Sequence, residues 1–203
     1  MLGGADKSNG DLGTYITGAD IIAAVKSWLR LAFGRELSAV EEVAGWSTEL
    51  QQILGQIQKS EAYEIHAERV AGHPELFQPE VLQRLCASRE VRGWEYVRAQ
   101  DRREALSHRF AQLFETCDLL VMPTVAIRAP NLYERTIYLD GRAREVRDTL
   151  LSLTSIWNLL GLPAVSIPCG LLDGLPLGCQ LIAAQGRDRM LLDAAQQLLA
   201  AGR

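Results

Sequence analysis

"GLPAVSIPCGLLDGLPLGCQLIA" (Gly161–Ala183) is nearly all apolar, yet it carries three prolines and four glycines. The mixture resolves into two strands and a turn. AVSIPCG is a strand of β-branched and apolar residues. Asp173-Gly174 is a hairpin signal, because a type I′ turn needs positive φ at both central residues. LPLGCQLIA is the returning strand. Proline removes a ladder donor, so Pro168 and Pro176 are expected at strand ends, edges or bulges. Gly170 and Gly178 suit places where the backbone bends or approaches another chain segment closely. A two-residue turn sets Leu172 against Leu175 and, counting back, Cys169 against Gly178. Cys169 and Cys179 then point to opposite faces, which disfavours a disulfide between them.

Upstream, DLLVMPTV begins at Asp118 and is apolar without alternation, the pattern of a strand covered on both faces. Residues 125–147 read as a polar loop with Pro130, Asn131 and Gly141. Residues 148–160 read as one short helix, capped by Asp148 and ended by Gly161. Beyond the hairpin a helix starts near Arg187, with Met190, Leu191, Ala194, Leu198 and Leu199 on its apolar face.

From Trp94 to Cys117 the residues Tyr96, Ala99, Arg103, Leu106, Phe110, Leu113 and Cys117 recur at helical spacing. Arg103 interrupts that stripe. A helix over 48–70 turns Leu50, Ile53, Leu54, Ile57, Ala62 and Ile65 inward. AGHPELFQP (71–79) is a loop whose last proline can open the next helix. Thr17 and Asp20 have capping-box spacing, and Ile21, Val25, Trp28, Leu29 and Ala32 form a stripe up to Gly34. LSAVEEV (37–43) is a candidate short strand. Residues 1–16 read as a disordered leader, and 17–203 as a single α/β domain with helices covering a sheet.

The chain has 203 residues, 48% hydrophobic and 23% charged, with a formal net charge of -4. Such a chain can bury a full-sized core. It has no overall basic field to attract nucleic acid or an anionic membrane. No apolar run is long enough to cross a bilayer, and the start lacks the apolar core of a signal peptide, so the cytoplasm is expected. The four cysteines are scattered, no CxxC occurs, and the three histidines do not pair with them at zinc-finger spacing, so no metal site is expected. GGADKSNG lacks the glycine that a phosphate loop needs directly before Lys-Ser. Seven arginines against four acids in residues 84–109 read as a solvated helical face rather than an RNA surface.

Three blocks carry a resemblance. The first is Tyr96, Arg103 and Phe110, followed by "CDLLVMPT"; the second is "TSIWNLLGLPAVSIPCG"; the third is "DGLPLGCQLIA" with an amphipathic helix after it. In this order and spacing the chain resembles the carboxy-terminal part of the amidase signature family, over roughly residues 45–203. That family includes general amidases, allophanate-hydrolase-like enzymes and the amidase subunit of aminoacyl-tRNA amidotransferases. The resemblance implies a partial amidase-signature fold, a mixed sheet with the hairpin at its end covered by helices. It implies hydrolysis of a carboxamide C–N bond by a Ser–cis-Ser–Lys triad, with no cofactor.

The triad lies upstream of these blocks in the family. A serine nucleophile needs a nearby base and backbone donors for the oxyanion. This chain has three lysines, Lys7, Lys26 and Lys59, and ten serines with no Ser-Ser pair and no glycine-rich run around one. No catalytic residue is therefore assigned, and the chain alone is expected to be inactive. Ser166, in a buried-strand pattern, reads as a satisfied core hydroxyl.

The resemblance assigns substrate-binding positions to Thr124, Thr154, Trp157, Asn158 and Arg84. Thr124 ends a covered strand, where ligands of α/β sheets gather. Thr154, Trp157 and Asn158 belong to the second block, near the family's substrate pocket. Arg84 falls where members of the family from amidotransferases carry an arginine for the substrate's carboxylate. The acidic residue that those members place before the Asn158 block is Leu151 here, which counts against a glutamine-specific reading. Arg103 matches a family arginine and is read as structural, holding loop carbonyls or a carboxylate, since a buried charge must be paired. The partners implied are a small amide substrate once the missing half is supplied, and a homo- or hetero-oligomer through exposed sheet surface.

Overall fold

The computed structural model describes residues 18–33, 47–139 and 142–201. The leader, Thr17, Gly34 and the strand expected at 37–43 lie outside the described residues. The hairpin forms the middle and one edge of a sheet. Strand β4 (Ala164–Leu172) runs into β5 (Leu175–Ala183), and β5 pairs on its other side with β1 (Leu119–Pro123), giving the order β1-β5-β4 with both pairings antiparallel. Asp173 and Gly174 both have positive φ, 49° and 77°, as the turn requires.

Register decides which residues face which core. On β5, Leu177, Cys179, Leu181 and Ala183 face one way and pack with Ile167 and Cys169 of β4. Helices α1 (Gly18–Phe33) and α7 (Asp188–Ala201) cover that face with Ile21, Val25, Leu29, Leu191, Ala195 and Leu198. Leu120 and Ile182 face the other way. They pack against α2 (Ser47–Gly72), α4 (Gly93–Leu113) and α6 (Ser155–Leu160) through Ile53, Ile57, Phe110, Ile156 and Trp157. The unalternating run of β1 has this cause: Leu119 and Val121 meet the first core, and Leu120 and Met122 the second.

Some expectations change. Between Pro168 and Leu171 the β4–β5 register shifts by a bulge at Cys169-Gly170, where Gly170 has φ 121°. Gly178 therefore faces Pro168 rather than Cys169, and Cys169 is turned onto the face of Cys179, so the two thiols share a core. Both are free. The expected loop at 125–147 contains a second hairpin, β2 (Thr136–Leu139) and β3 (Arg142–Glu145), followed by α5 (Val146–Leu151). β3 is exposed throughout, so it has no apolar alternation to reveal it. The helix expected at 148–160 is two short helices with a turn at 152–154, and its first cap position is Glu145 rather than Asp148. Ile65 is 77% exposed, because the far half of α2 runs past the core and meets α3 (Pro79–Ser88) and the start of α4 instead. A single 3-10 turn, Pro74–Leu76, interrupts the loop before α3.

Candidate functional site

The helical cover of the second face is incomplete. It protects Leu120 and Ile182 but leaves Ala164, Ser166, Pro168 and Gly170 of β4 exposed. The open end of that face is built from three strands. Thr124 continues the β1 ladder by donating its N–H to the Gly178 carbonyl at 2.9 Å. Across β5, the Thr124 and Ser166 hydroxyls lie 2.6 Å apart. Ser166 is thus an exposed hydroxyl bonded to a neighbouring strand, not the core hydroxyl that its sequence pattern suggested.

Gln180 closes the covered end. Only 3% exposed, it donates through Nε2 to the Pro123 carbonyl at 3.1 Å and the Leu153 carbonyl at 2.8 Å. One amide thereby ties the turn between α5 and α6 to the end of β1, where buried polar groups need partners. Sequence reasoning passed over Gln180; the available signal was a lone amide side chain inside an apolar strand.

That turn carries Thr154, whose hydroxyl donates to the Leu151 carbonyl at 3.4 Å. Asn158, on α6, is exposed, while its neighbour Trp157 is 2% exposed and stacks edge-to-face on Phe110 with ring centroids 5.6 Å apart. Trp157 fills the core in this structure, and its Nε1 is buried without a hydrogen-bond partner. Arg103 is half-buried on α4; its Nε donates to the Leu159 carbonyl at 2.6 Å and its Nη1 to Gln100 Oε1 at 3.4 Å. The second block is therefore held from two sides, by Gln180 at residue 153 and by Arg103 at residue 159. Arg84 stands elsewhere. It is exposed on α3, which packs on α2, and its Nε donates to the Glu80 carbonyl one turn back at 3.2 Å.

The site carries no strongly acidified or activated group. Burial pushes the Cys179 thiol up to about 12, with Cys169 adding to the rise, and burial also raises Cys169; both are on the opposite face. No cluster of three His, Cys, Asp or Glu suited to a metal occurs among the described residues. No described helix is long and apolar enough to cross a membrane. Two surface clefts, of about 540 and 590 Å³, lie at the start of α7 and between α2 and α4, away from Thr124 and Ser166.

A helix-covered α/β sheet with hydroxyl and amide groups at its open end defines the class. The Amidase family model matches residues 32–192, and the chain belongs to that family. It is 35% identical over 103 residues to the amidase-type component of the glutamyl-tRNA(Gln) amidotransferase of Thiobacillus denitrificans, covering 50% of this chain and 20% of that one. It is 39% identical over 90 residues to a 6-aminohexanoate-cyclic-dimer hydrolase of a Pseudomonas species, covering 40% and 18%. Among solved structures, an amidase superposes with a TM-score of 0.72 at 26% identity, over 90% of this chain and 44% of that chain. A structure described as a vestigial protein complex bearing on the origins of an s-triazine catabolic enzyme gives 0.76 at 27% identity, over 89% and 39%. The matched region is about a fifth of the length of these curated relatives and less than half that of the solved chains.

Proposed function

We propose that this chain forms the carboxy-terminal part of the substrate cleft of an amidase-signature hydrolase and is inactive alone. The parent reaction is hydrolysis of a carboxamide C–N bond, with the Ser–Ser–Lys groups supplied outside this chain. One observation carries the reading. The open sheet end presents hydroxyls and peptide groups, but no base stands beside its serine: Ser166 bonds a threonine, and Lys26 and Lys59 are exposed on α1 and α2. Such a surface can bind and orient an amide but cannot activate a nucleophile.

In this reading Thr124 floors the cleft, Thr154 and Asn158 form its wall, and Trp157 braces that wall from the core. Arg84 is assigned to a carboxylate on substrates that have one. The test is ammonia release from a panel of primary carboxamides by the purified chain, expected at the buffer rate. Release that disappears when one serine is replaced by alanine would show that a nucleophile is present and end this reading.

A second reading, a non-catalytic subunit or scaffold that docks on a partner, is favoured by the outer edge of β4. No strand pairs with it among the described residues. A part of a tRNA-dependent amidotransferase is a narrower version, supported by the Thiobacillus denitrificans relative. Salt-dependent retention on immobilised tRNA distinguishes it, since phosphate contacts weaken steeply with salt.

A further inference from the structure

Thr124 and Ser166 belong to strands that do not touch. β5 lies between β1 and β4, and strands two places apart are separated by roughly 9.5 Å. Their hydroxyls nevertheless meet at 2.6 Å. They meet above Gly178. A Cβ built there would lie 2.7 Å from Thr124 Oγ1, 2.9 Å from Ser166 Oγ and 3.1 Å from Thr124 Cβ. Any side chain at 178 would occupy the space in which the pair forms.

Two hydroxyls bonded to each other use one proton between them. The other proton remains to donate, and lone pairs remain to accept. The pair is exposed, so that capacity faces outward. Its register neighbours on the same face are Met122, Gln180 and Pro168, none of which carries a charge. A carboxylate or ammonium placed on this surface would lose water without gaining a counter-charge from these residues, which is unfavourable. A carboxamide offers a donor and an acceptor side by side and matches what the pair has left.

We propose that the Thr124–Ser166 hydroxyl pair, seated over Gly178, is a hydrogen-bonding subsite for an uncharged carboxamide group. This deepens the amide-cleft reading and rests on it for the choice of ligand. The pair binds and orients; it transfers no proton and forms no covalent bond.

The experiment is a titration of the isotope-labelled full chain with propionamide, propionate and propylammonium, followed by two-dimensional amide NMR. The expected result is saturable shifts at residues 124, 166 and 178 with propionamide and none with the two ions at equal concentration. Ser166→Ala should weaken propionamide binding about three- to tenfold, the loss of one neutral hydrogen bond. Thr124→Ser, which keeps the hydroxyl, should bind as the parent does. Unchanged core resonances at Leu191 and Ala195 establish that each variant is folded. The proposal is overturned by equal shifts with propionate, by the absence of saturable shifts at those three residues, or by unchanged binding in folded Ser166→Ala. The binding result stands apart from the hydrolysis test. Propionamide binding at this pair would survive a failure of the amidase reading, and ammonia release by the chain would leave the binding question where the titration puts it.

Discussion

Arg103 was legible as an anomaly, a cation in an otherwise apolar stripe, and the structure gives its partner. The guanidinium reaches the Leu159 carbonyl in the last turn of α6, where helix carbonyls lack intrahelical donors. Arg103→Ala should destabilise the chain by about 1–3 kcal/mol, because it leaves a carbonyl and its neighbours unsatisfied. Arg103→Lys should restore only part of that, since an ammonium lacks the fixed fork. Urea midpoints at constant slope measure both. Cys179 gives a prediction about pH. Its thiol is fully buried and its pKa stands near 12, against an ordinary value of 9.0. The folded state therefore holds this proton where the unfolded state releases it. Stability from this group is complete below pH 9 and falls as pH rises from 9 toward 12, at up to about 1.36 kcal/mol per pH unit. Comparing urea unfolding at pH 8 and pH 10.5 for the parent and Cys179→Ala should show a smaller loss in the variant; equal losses would contradict the burial of this thiol. Ser166 was misread for a physical reason. Its strand has an apolar pattern like that of β1, but only the other face and one end of this face are covered, and coverage by distant helices leaves no trace in nine residues of local sequence.

At the scale of elements, the hairpin was readable because its turn and its prolines obey backbone rules that act locally. The bulge was not, because nothing in Cys169-Gly170 distinguishes a bulge from a plain bend until the partner strand is known. Its consequence is testable. Cys169 and Cys179 lie together under α1 and α7, while Cys86 is exposed. Under native conditions a thiol-alkylating reagent should modify Cys86 rapidly and leave Cys169 and Cys179 unmodified until unfolding, as read by mass spectrometry of peptides. The middle strand offers a second test. Gly178→Ala inserts a methyl group against Thr124 and Ser166, and overpacking of this kind costs typically about 1–3 kcal/mol. If the clash with these hydroxyls is the cause, Ser166→Ala should recover part of that loss in the double variant, giving a coupling that a double-mutant cycle reads directly. Additive losses would place the strain elsewhere in β5. The helices α5 and α6 were merged in the sequence because the turn at 152–154 contains no proline or glycine. What separates them is the Gln180 amide at the Leu153 carbonyl, a contact between residues 27 positions apart.

For the whole molecule the deciding feature is imbalance. One sheet face is covered by two helices, the other only at one end, and β4 ends the sheet with nine residues whose outer side has no partner strand among the described residues. Pro168 removes one donor from that edge, and Leu171 beside the turn is 70% exposed. An edge this long, with apolar residues on it, is a template for pairing. The chain alone should therefore associate: light scattering after size exclusion should give a mass above 22.4 kDa that rises with concentration. Val165→Lys is unsuited to the test, since Val165 packs against the first core. Ala164→Lys and Leu171→Lys place charges on exposed positions of the edge strand and should shift the population toward monomer without changing the circular dichroism spectrum. The same substitutions separate edge pairing from attraction through the helices, because α2 and α4 carry their own exposed apolar residues, Ile65, Trp94 and Val97. If association persists in both lysine variants and is lost in Ile65→Lys, the helical surface is the contact and the sheet edge is protected by other means. A monomer of 22.4 kDa at high micromolar concentration, with no binding of a dye that reports exposed apolar surface, would mean that neither surface is open in solution.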